Sequence, residues 1–534
     1  MKKVLFGFLA VAALAGCAKE ADKGGLDYNP TGENSYMAIN IQSPAPVTKA
    51  DGGVYEDDAS AETTPKTAHF FFFDANGNPY AVANGTNCLE KNLAKAGNAQ
   101  PNVEWKSETV LVIEKTSTID PKWVIAVLNA PAGFRDQYNA KPMAELKAAE
   151  LTSYYGAEVG GVKSIVMSNS VYKNEAGAEV YEVEILPENL GETEAAAKVT
   201  PITMYVERVC AKVRVENADL IKVTTDGTTA MKDSKDNEVY AKILGWQVTN
   251  NISETTLKKS IDVAWSDTQL GFTWNDVPYF RSYWAQTKAT LDPVHAWTWN
   301  DLKAHNVASD YYFENTLEST LEDNGVDATG TPGNAYSQLL VAVEFVNASG
   351  EKLDLAKWYG RIYTLADLKT AIANDFSLRI FVEDGATRTS IAPADLDYYQ
   401  VADDVADNRY ECILKVAAAS ESKKFVDAAG AVLTLEQVNA ELAKVSPAQI
   451  WKEGGYYYTP IRHLGTAGSK GEFGMVRNHL YDITISAVQG LGTPVYDPSS
   501  TITPEKPEDD QFSYIAAQIN VLAWRVIQQD VTLQ

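Results

Sequence analysis

Short apolar runs separated by turn-forming residues recur along nearly the whole chain. Those in the first part include ETVLVIEK, KWVIAVLNA and EVYEVEIL, and those in the second include SQLLVAVEFVN, LRIFVEDG and HLYDITISAV. They are rich in Val, Ile, Phe and Tyr, which favour strands, whereas the Asp, Asn, Gly and Pro between them favour turns. This spacing is typical of antiparallel sandwiches and not of alternating strands and helices. We therefore expect a mainly β protein.

Three segments have helical patterns and are short enough to be insertions over a sheet. In TLADLKTAIANDF, Thr364 with Asp367 predicts a capped helix start, and in TLEQVNAELAKVS, Thr434 with Gln437 predicts a capping box. The third segment is KPMAELKAAELTSYY. We therefore expect a few short helices beside the sheets.

Length and composition indicate a large globular protein. The chain has 534 residues, 45% of them hydrophobic, which is enough for two or more domains with their own cores. A polar break, ENLGETEAAAKVTP, predicts a domain boundary near residue 200. The net charge of −25 argues against nucleic acid or an anionic membrane surface as a partner, because both require clustered Lys and Arg.

The first residues, MKKVLFGFLAVAALAGC, form an export signal. Two lysines precede an apolar run that is too short to span a bilayer, and small residues precede Cys17. The sequence Leu-Ala-Gly-Cys matches the bacterial lipobox, so we predict that residues 1–16 are removed and that Cys17 is acylated. Several acyl chains would hold the protein on a membrane. The alternative is an ordinary secretory signal with an incidental cysteine.

No segment predicts catalytic or metal chemistry. The other cysteines, Cys88, Cys210 and Cys412, are too few and too scattered for a disulfide framework, so we expect three buried thiols, with one bridged pair as the alternative. The five histidines show no metal-ligand spacing, and we find no nucleophile elbow, phosphate loop or dinucleotide fingerprint. We therefore predict no catalytic residue, no metal, no cofactor and no enzymatic activity.

One amino-terminal stretch, SYMAINIQSPAPVTKADGG, combines a strand suited to a core with a loop suited to cutting. Met37, Ile39 and Ile41 share one strand face. Pro44 and Pro46 cannot donate ladder hydrogen bonds, so pairing should stop there and leave a solvated, protease-sensitive loop that contains a lone lysine. The strand therefore looks detachable from the rest of the chain.

The carboxyl-terminal stretch predicts an apolar strand on a flexible arm. Residues 491–511 are rich in Pro, Asp and Ser and should be extended with little packing. Beyond them, apolar residues alternate and then continue one register later, which implies a bulge or bend near Val521 and Leu522. The alternative is an ordinary last strand packed on its own domain. The apolar set is Ile515, Ile519, Val521, Leu522, Trp524, Val526, Val531 and Leu533.

An aromatic cluster, FTWNDVPYFRSYWAQ with HAWTWND, has two interpretations. Aromatic faces can stack on sugars, so a non-polymerising surface lipoprotein that binds glycans is the rival function. The other interpretation, which we favour, is that the rings cover a core or an interface. The residues concerned are Trp274, Tyr279, Trp284, Trp297 and Trp299.

Five motifs follow one another along nearly the whole chain. They are the lipobox ending at Cys17, SYMAINIQ followed by a loop with a basic residue, VERVCAKVRV, GYYYTPIRH with GMVRNHLYDITI, and the ending VLAWRVIQQDVTL. In these motifs the chain resembles the fimbrillins that form type V pili in Bacteroidota, most closely the major subunit of the short (minor) fimbriae. The resemblance implies two transthyretin-like antiparallel β-sandwich domains, at residues 50–200 and 201–490.

The same resemblance implies how such a subunit assembles. The propeptide would be residues 17–49 with a removable strand at 35–42, a protease would cut between Lys49 and Ala50, and a donor strand would lie in residues 512–534. The short-fimbria subunit is cut after arginine, whereas the first arginine here is Arg135, so the protease would have to accept lysine. Lys66 is the alternative cut site.

The resemblance also implies partners and location. The expected partners are further copies of the chain in a head-to-tail polymer, anchor and tip subunits, a maturation protease of trypsin-like or lysine specificity, and the outer membrane through the lipid. The expected function is a fimbrial shaft subunit that supports adhesion and biofilm formation, first as an outer-membrane lipoprotein and then in the fimbrium.

Overall fold

The computed structural model of the protein is mainly β, as predicted from the sequence. It describes residues 34–42, 54–55, 64–95, 105–114, 120–265, 274–275, 280–287, 297–317, 336–400, 411–445, 447–465, 470–499, 501–502, 514–522, 525–526 and 528–529. Within these ranges no helix is both long and apolar enough to cross a membrane.

Strands make up most of the regular structure. Up to residue 256 they are β1 Asn34–Gln42, β2 Val54–Tyr55, β3 Thr67–Phe73, β4 Cys88–Asn92, β5 Lys106–Glu114, β6 Trp123–Leu128, β7 Glu150–Leu151, β8 Met167–Asn169, β9 Tyr172–Lys173, β10 Glu179–Val180, β11 Val183–Glu184, β12 Leu190–Gly191, β13 Ile202–Arg208, β14 Cys210–Asn217, β15 Ile221–Thr224, β16 Tyr240–Thr249 and β17 Thr255–Thr256. The rest are β18 Trp297–Thr298, β19 Ser309–Phe313, β20 Gln338–Val346, β21 Leu355–Trp358, β22 Arg361–Thr364, β23 Phe381–Asp384, β24 Thr387–Ser390, β25 Leu396–Gln400, β26 Glu411–Val416, β27 Lys424–Val426, β28 Val432–Leu433, β29 Ala448–Trp451, β30 Gly454–Pro460, β31 His479–Gln489, β32 Thr493–Val495, β33 Thr501–Ile502, β34 Tyr514–Leu522, β35 Arg525–Val526 and β36 Gln528–Gln529. The α-helices are α1 Phe134–Tyr138, α2 Met143–Lys147, α3 Glu194–Ala197, α4 Trp299–Ala304, α5 Leu365–Phe376 and α6 Leu435–Leu442.

The first large sheet lies in the N-terminal part of the chain. Its order is β12-β1-β13-β8-β6-β3-β4, with β5 paired to β1 and β11 paired to β6. The run of four phenylalanines in β3 shows how both faces of this sheet are filled, because successive strand residues point to opposite sides. Phe70 and Phe72 enter one apolar core, and Phe71 and Phe73 enter another.

The second large sheet lies in the C-terminal part and encloses one large core. Its order is β19-β14-β31-β15-β16-β20-β30-β32, with β34 and β35 paired to β31. The prediction of an extended arm with little packing at residues 491–511 is wrong for its first part, because β32 pairs with β30 and both Val495 and Ile502 are buried. Side chains from β14 and β31 meet side chains from β16 and β20 in one cluster, as in a sandwich. The chain passes from the first sheet to the second at Val209, between β13 and β14. A domain boundary near residue 200 stays a prediction.

Not all of the strand pairing is antiparallel. β1 runs parallel to β13, and β31 runs parallel to both β14 and β15. The sequence predicted antiparallel sheets because short runs separated by turns favour hairpins, and strand direction between distant segments leaves no local signal.

A separate unit with its own core is inserted between β20 and β30. It contains a five-stranded sheet and a four-stranded sheet, with α5 and α6 packed on them. Both predicted helix starts are confirmed there: the Thr364 hydroxyl accepts from the Asp367 amide at 3.2 Å, and Thr434 with Gln437 forms a capping box.

The prediction for the remaining helix is wrong in length. The segment from Lys141 to Tyr155 is helical only in α2, because the chain then enters β7, which pairs with β17 about a hundred residues later. Pairing between distant segments overrides the local helical pattern here.

Candidate functional site

The amino-terminal leader strand, β1, is seated inside the first sheet. All nine of its residues pair antiparallel with β5, from Asn34 opposite Glu114 to Gln42 opposite Lys106. On its other edge, Tyr36 and Met37 pair with β12, and residues 39–42 pair in parallel with β13. Since both edges of β1 are hydrogen-bonded, removing it would leave an open slot between β5 and β13.

The three residues predicted for the removable strand line the core side of this slot. Met37 and Ile41 are 0% exposed and Ile39 is 1% exposed. They join the cluster that contains Phe70 and Leu111. Burying an aliphatic side chain contributes about 1.5 to 3 kcal/mol, so the three together contribute roughly 5 to 9 kcal/mol.

The predicted lipidation and cleavage residues lie outside the described residues. These are Cys17, Lys49 and Ala50; the cut would fall between the end of β1 at Gln42 and the start of β2 at Val54. The alternative site, Lys66, is described and is held in place. Its amide donates to Asn129 Oδ1 at 2.8 Å, and its carbonyl accepts from the Leu93 amide at 2.7 Å. A protease requires extended, accessible backbone, so Lys66 is a poor substrate in this conformation.

The carboxyl-terminal strand β34 lies along β31 in the second sheet. It pairs antiparallel over nine residues, from Tyr514 opposite Gln489 to Leu522 opposite Leu480, with a register shift at Ile485 and Ala487. Among the described residues, its other edge pairs only briefly with β36, which folds back on it. The predicted change of register falls where β34 ends, at Leu522, whereas the irregularity in the ladder is in β31.

Five of the eight predicted donor residues lie within the described ranges. Ile515, Ile519, Val521 and Leu522 lie in β34, and Val526 lies in β35. Trp524, Val531 and Leu533 lie outside the described residues.

The segment that follows the predicted cut touches the tail. β2 pairs antiparallel with β35, Val54 opposite Val526 and Tyr55 opposite Arg525. The backbone on the carboxyl side of the predicted cut is therefore hydrogen-bonded to the tail.

Most of the tryptophans in the predicted aromatic cluster are buried. Trp274 and Trp284 are 1% and 2% exposed and pack around His463, and Trp299 is fully buried in α4. Trp297 is half-buried in β18, and Tyr279 lies outside the described residues. Rings buried in this way cover a core, so they do not offer the exposed platform that glycan binding through this cluster would require.

Buried charges fill the joint between the two large sheets. Lys259 Nζ lies 2.5 Å from Glu207 Oε2, and Arg477 Nη2 lies 2.6 Å from Glu314 Oε1; all four side chains are at most 4% exposed. The Arg281 guanidinium lies 5.1 Å from the centre of the Tyr283 ring and donates to the Asn478 carbonyl at 3.0 Å. Sequence reasoning missed these pairs because their partners lie 52 and 163 residues apart.

The joint also holds a buried histidine that stays neutral. Burial, together with the positive charge of Arg281 and the neighbouring His463, holds the pKa of His479 well below its usual value of 6.5. His479 Nδ1 lies 2.9 Å from the Arg477 carbonyl. Because a neutral ring with this contact donates from Nδ1, the tautomer is fixed by the backbone.

The three described cysteines are buried. Cys88, Cys210 and Cys412 are not bridged to one another, which is the arrangement that the sequence favoured over one bridged pair. Burial raises the pKa of both the Cys88 and the Cys210 thiol to about 12, so they remain protonated at neutral pH. The described residues contain no cluster of His, Cys, Asp and Glu suited to holding a metal ion.

Comparison with known proteins identifies two regions of the chain. Residues 449–530 match the family model described as the major fimbrial subunit protein type IV, fimbrillin, C-terminal, and residues 1–18 match the prokaryotic membrane lipoprotein lipid attachment site. The second match contains Cys17 and supports the lipobox prediction. No curated protein sequence matches the chain.

Solved structures give weaker similarities, all from Porphyromonas gingivalis in the examples that follow. A fimbrillin of strain W83 is 10% identical, with 92% of this chain and 98% of that chain covered and a TM-score of 0.36. The tip fimbrial protein is 11% identical, with 92% and 100% covered and a TM-score of 0.31. The fimbrial anchor protein is 10% identical, with 92% and 99% covered and a TM-score of 0.25.

The likeness to fimbrillins rests on the sequence match. That match spans β29 to β36 and includes β31 and the tail strand that pairs with it. The C-terminal region of the chain is therefore similar to that of fimbrillins, in agreement with the resemblance drawn from the motifs.

Proposed function

We propose that the chain is a structural fimbrial subunit that polymerises by donor-strand exchange after a protease removes β1. The observation that carries the proposal is the position of β1, which is hydrogen-bonded on both edges and buried on its core face although its only covalent link to the sheet runs through residues 43–66. A strand placed in this way fills a site that another strand can fill by β-augmentation.

The tail has the length and pattern of the leader strand. β1 and β34 are both nine residues long. β1 carries Met37, Ile39 and Ile41 at every second position, and the tail carries Ile515, Ala517, Ile519 and Val521 at the same spacing. A tail that enters the slot in the direction of β1 would run antiparallel to β5 and would place its apolar residues on the core side.

In the uncut chain the leader and the tail occupy different sheets. β1 fills the slot of the first sheet, so the tail of the same chain lies on β31 of the second. Among the described residues the tail is paired along its whole length with β31 alone. A strand in the slot is paired with β5 on one edge and with β12 and β13 on the other. We infer that the exchange replaces a singly paired strand with a doubly paired one, which favours transfer to a neighbour's empty slot.

Cleavage would affect the tail as well as the slot. β2 is held in sequence between the leader and β3 and pairs with β35 of the tail. A cut at Lys49 removes the leader-side tether of β2, so its contact with the tail becomes easier to break. The same cut would then open the slot and loosen the donor.

The polymer would be an open filament, and the resemblance to fimbrillins suggests its partners and location. Donor and slot are different surfaces, so the contact is head-to-tail and need not close into a ring. Assignment to the shaft of the short fimbriae, with anchor and tip subunits as partners, remains a prediction, as do export to the outer membrane, adhesion and biofilm formation. A structural role with no catalytic centre fits the family.

The cut site is tested with Lys49→Ala. Wild-type precursor treated with trypsin should lose residues 17–49 and form fibres visible by electron microscopy, whereas the Lys49→Ala precursor should remain monomeric. Lys444→Ala, at an exposed lysine just after α6 in the unit between β20 and β30, is the matched control and should polymerise. Fibres from Lys49→Ala would show that the cut lies elsewhere.

The donor is tested by deleting residues 512–534. The truncated subunit should stay folded and accept cleavage but fail to form fibres, and an added synthetic peptide of residues 512–534 should bind the cut subunit and not the uncut one. Normal fibres from the truncated subunit would exclude the tail as donor.

A further inference from the structure

A cleft opens at the joint between the two large sheets, apart from the leader slot. Its inner part, of about 70 Å³, is lined by Glu150, Glu254 and Glu314 with Thr255, Thr256, Gln286 and Thr287. Its outer chamber, of about 320 Å³, shares Gln286 and Thr287 with the inner part and adds Trp265, Trp284 and Leu317 together with Asp262 and Lys470. The two spaces therefore adjoin.

One wall of the inner part is a buried carboxylate with an unused oxygen. The Glu314 side chain is 4% exposed, and its Oε1 accepts from Arg477 Nη2 at 2.6 Å. Glu314 Oε2 is buried and has no hydrogen-bond partner among the described residues. A buried carboxylate oxygen without a donor is costly, so this atom marks a position where a donor group from outside would be stabilised.

Charge at the inner part favours a positively charged donor. Glu150 and Glu254 form no ion pair within the described ranges, and Glu314 is paired with Arg477, which also donates to Thr255 Oγ1 at 2.7 Å. Lys259 lies near Glu314 as well, but its own partner is Glu207. The three carboxylates that line the inner part therefore leave an excess of negative charge at the mouth. A cation that donates hydrogen bonds would neutralise part of it.

The lining of the two spaces favours a basic side chain. The inner part, which is the smaller at about 70 Å³, is lined by carboxylates suited to a cationic head group. The adjoining chamber is partly apolar, and the half-buried Trp265 already has the Lys470 ammonium 5.5 Å from its ring centre. Such a chamber fits the hydrocarbon part of a basic residue or an apolar neighbour of it.

We propose that this cleft binds an arginine or lysine side chain of a partner protein, with the guanidinium or ammonium group at Glu314 and an adjacent apolar residue against Trp265. The site is separate from strand exchange and is present in the uncut monomer, so its test does not depend on polymerisation.

The test is calorimetric titration of the full-length, uncut chain with the dipeptide acetyl-Leu-Arg-amide. We expect saturable binding that weakens as salt is added, and at least tenfold weaker binding of the neutral isostere acetyl-Leu-citrulline-amide. Equal binding of the two dipeptides, or no binding of the arginine dipeptide, would overturn the proposal. Saturable binding of N-acetylglucosamine that displaces the arginine dipeptide would assign the cleft to a glycan instead.

Variants locate the binding on the cleft. Because Glu314 holds Arg477, Glu314→Gln is informative only if its near-ultraviolet circular dichroism matches that of the wild type. The double variant Glu150→Gln with Glu254→Gln changes residues at the mouth and should bind the arginine dipeptide at least fivefold more weakly. Glu158→Gln, at an exposed glutamate that does not line the cleft, should bind like the wild type. Unchanged binding by the double variant would refute the site.

Discussion

The slot around β1 and the joint between the two large sheets are both buried, but they are filled with different chemistry. Around β1 the side chains are aliphatic and aromatic, including Met37, Phe72 and Leu111. At the joint the buried side chains include Lys259, Glu207 and Arg477, each held by a charged partner within 2.6 Å. One region excludes charge, and the other is organised by it.

This difference bears on the proposed strand exchange, because it separates the contacts around β1 from the charge pairs at the joint. Apolar burial is nearly independent of direction, so any strand with apolar residues at every second position can occupy the slot at similar free energy. Charge pairs require particular partners at particular distances, so the joint fixes one arrangement of the two sheets. We infer that the slot is the replaceable contact and the joint the permanent one.

Placing a charge in the slot tests whether the slot accepts only apolar side chains. Ile39→Asp should lower the free energy of unfolding by about 4 kcal/mol or more, because an unpaired carboxylate would be buried among aliphatic groups. Urea denaturation measures the loss. Asn40→Asp introduces the same charge on the half-buried, opposite face of β1 and should cost far less; equal losses would mean that the slot does not discriminate by polarity.

The converse change removes a charge from the joint. Lys259→Met leaves Glu207 buried without its partner and should destabilise the protein by about 3 kcal/mol. Lys258→Met is the matched control, because the neighbouring Lys258 pairs with Glu179 at the surface and its loss should cost at most about 1 kcal/mol. Similar values for the two variants would contradict a permanent, charge-organised joint.

The joint should also make the free energy of unfolding depend on pH, with a smaller effect than either substitution above. The pKa of His479 is well below 6.5 in the folded protein, so below pH 6.5 the unfolded chain takes up a proton that the folded one does not. Stability should therefore be fully present above pH 6.5 and fall by up to about 1.4 kcal/mol per pH unit below it. His479→Gln should flatten the profile in this range, whereas His305→Gln should keep the slope. An unchanged profile for His479→Gln would assign the slope to other groups.

Local periodicity was sufficient for many of the elements, although not for the helix at 141–155, and it did not predict their partners. The alternation of Met37, Ile39 and Ile41 identified a core strand, and the residues at 364–367 and 434–437 identified two helix starts. The pairing of β1 with β5, its parallel contact with β13 and the ion pairs at the joint join residues far apart in sequence, which a single sequence does not encode locally. The tryptophan cluster shows the same limit, because aromatic spacing alone cannot distinguish a buried ring from an exposed one.

The passage from β13 to β14 has a mechanical consequence. In a filament built as proposed, tension would enter a subunit through the strand in its slot, pass along β13 and Val209 into β14, and leave through β31 and the strands that follow it, β32 and β33, which pair with β30 and β18. β14 and β31 are parallel and share six residue pairs, from Lys212 opposite Leu480 to Asn217 opposite Ile485. Forces applied at the start of one strand and the end of its parallel neighbour load all of these pairs in shear, so they resist together instead of peeling apart one after another.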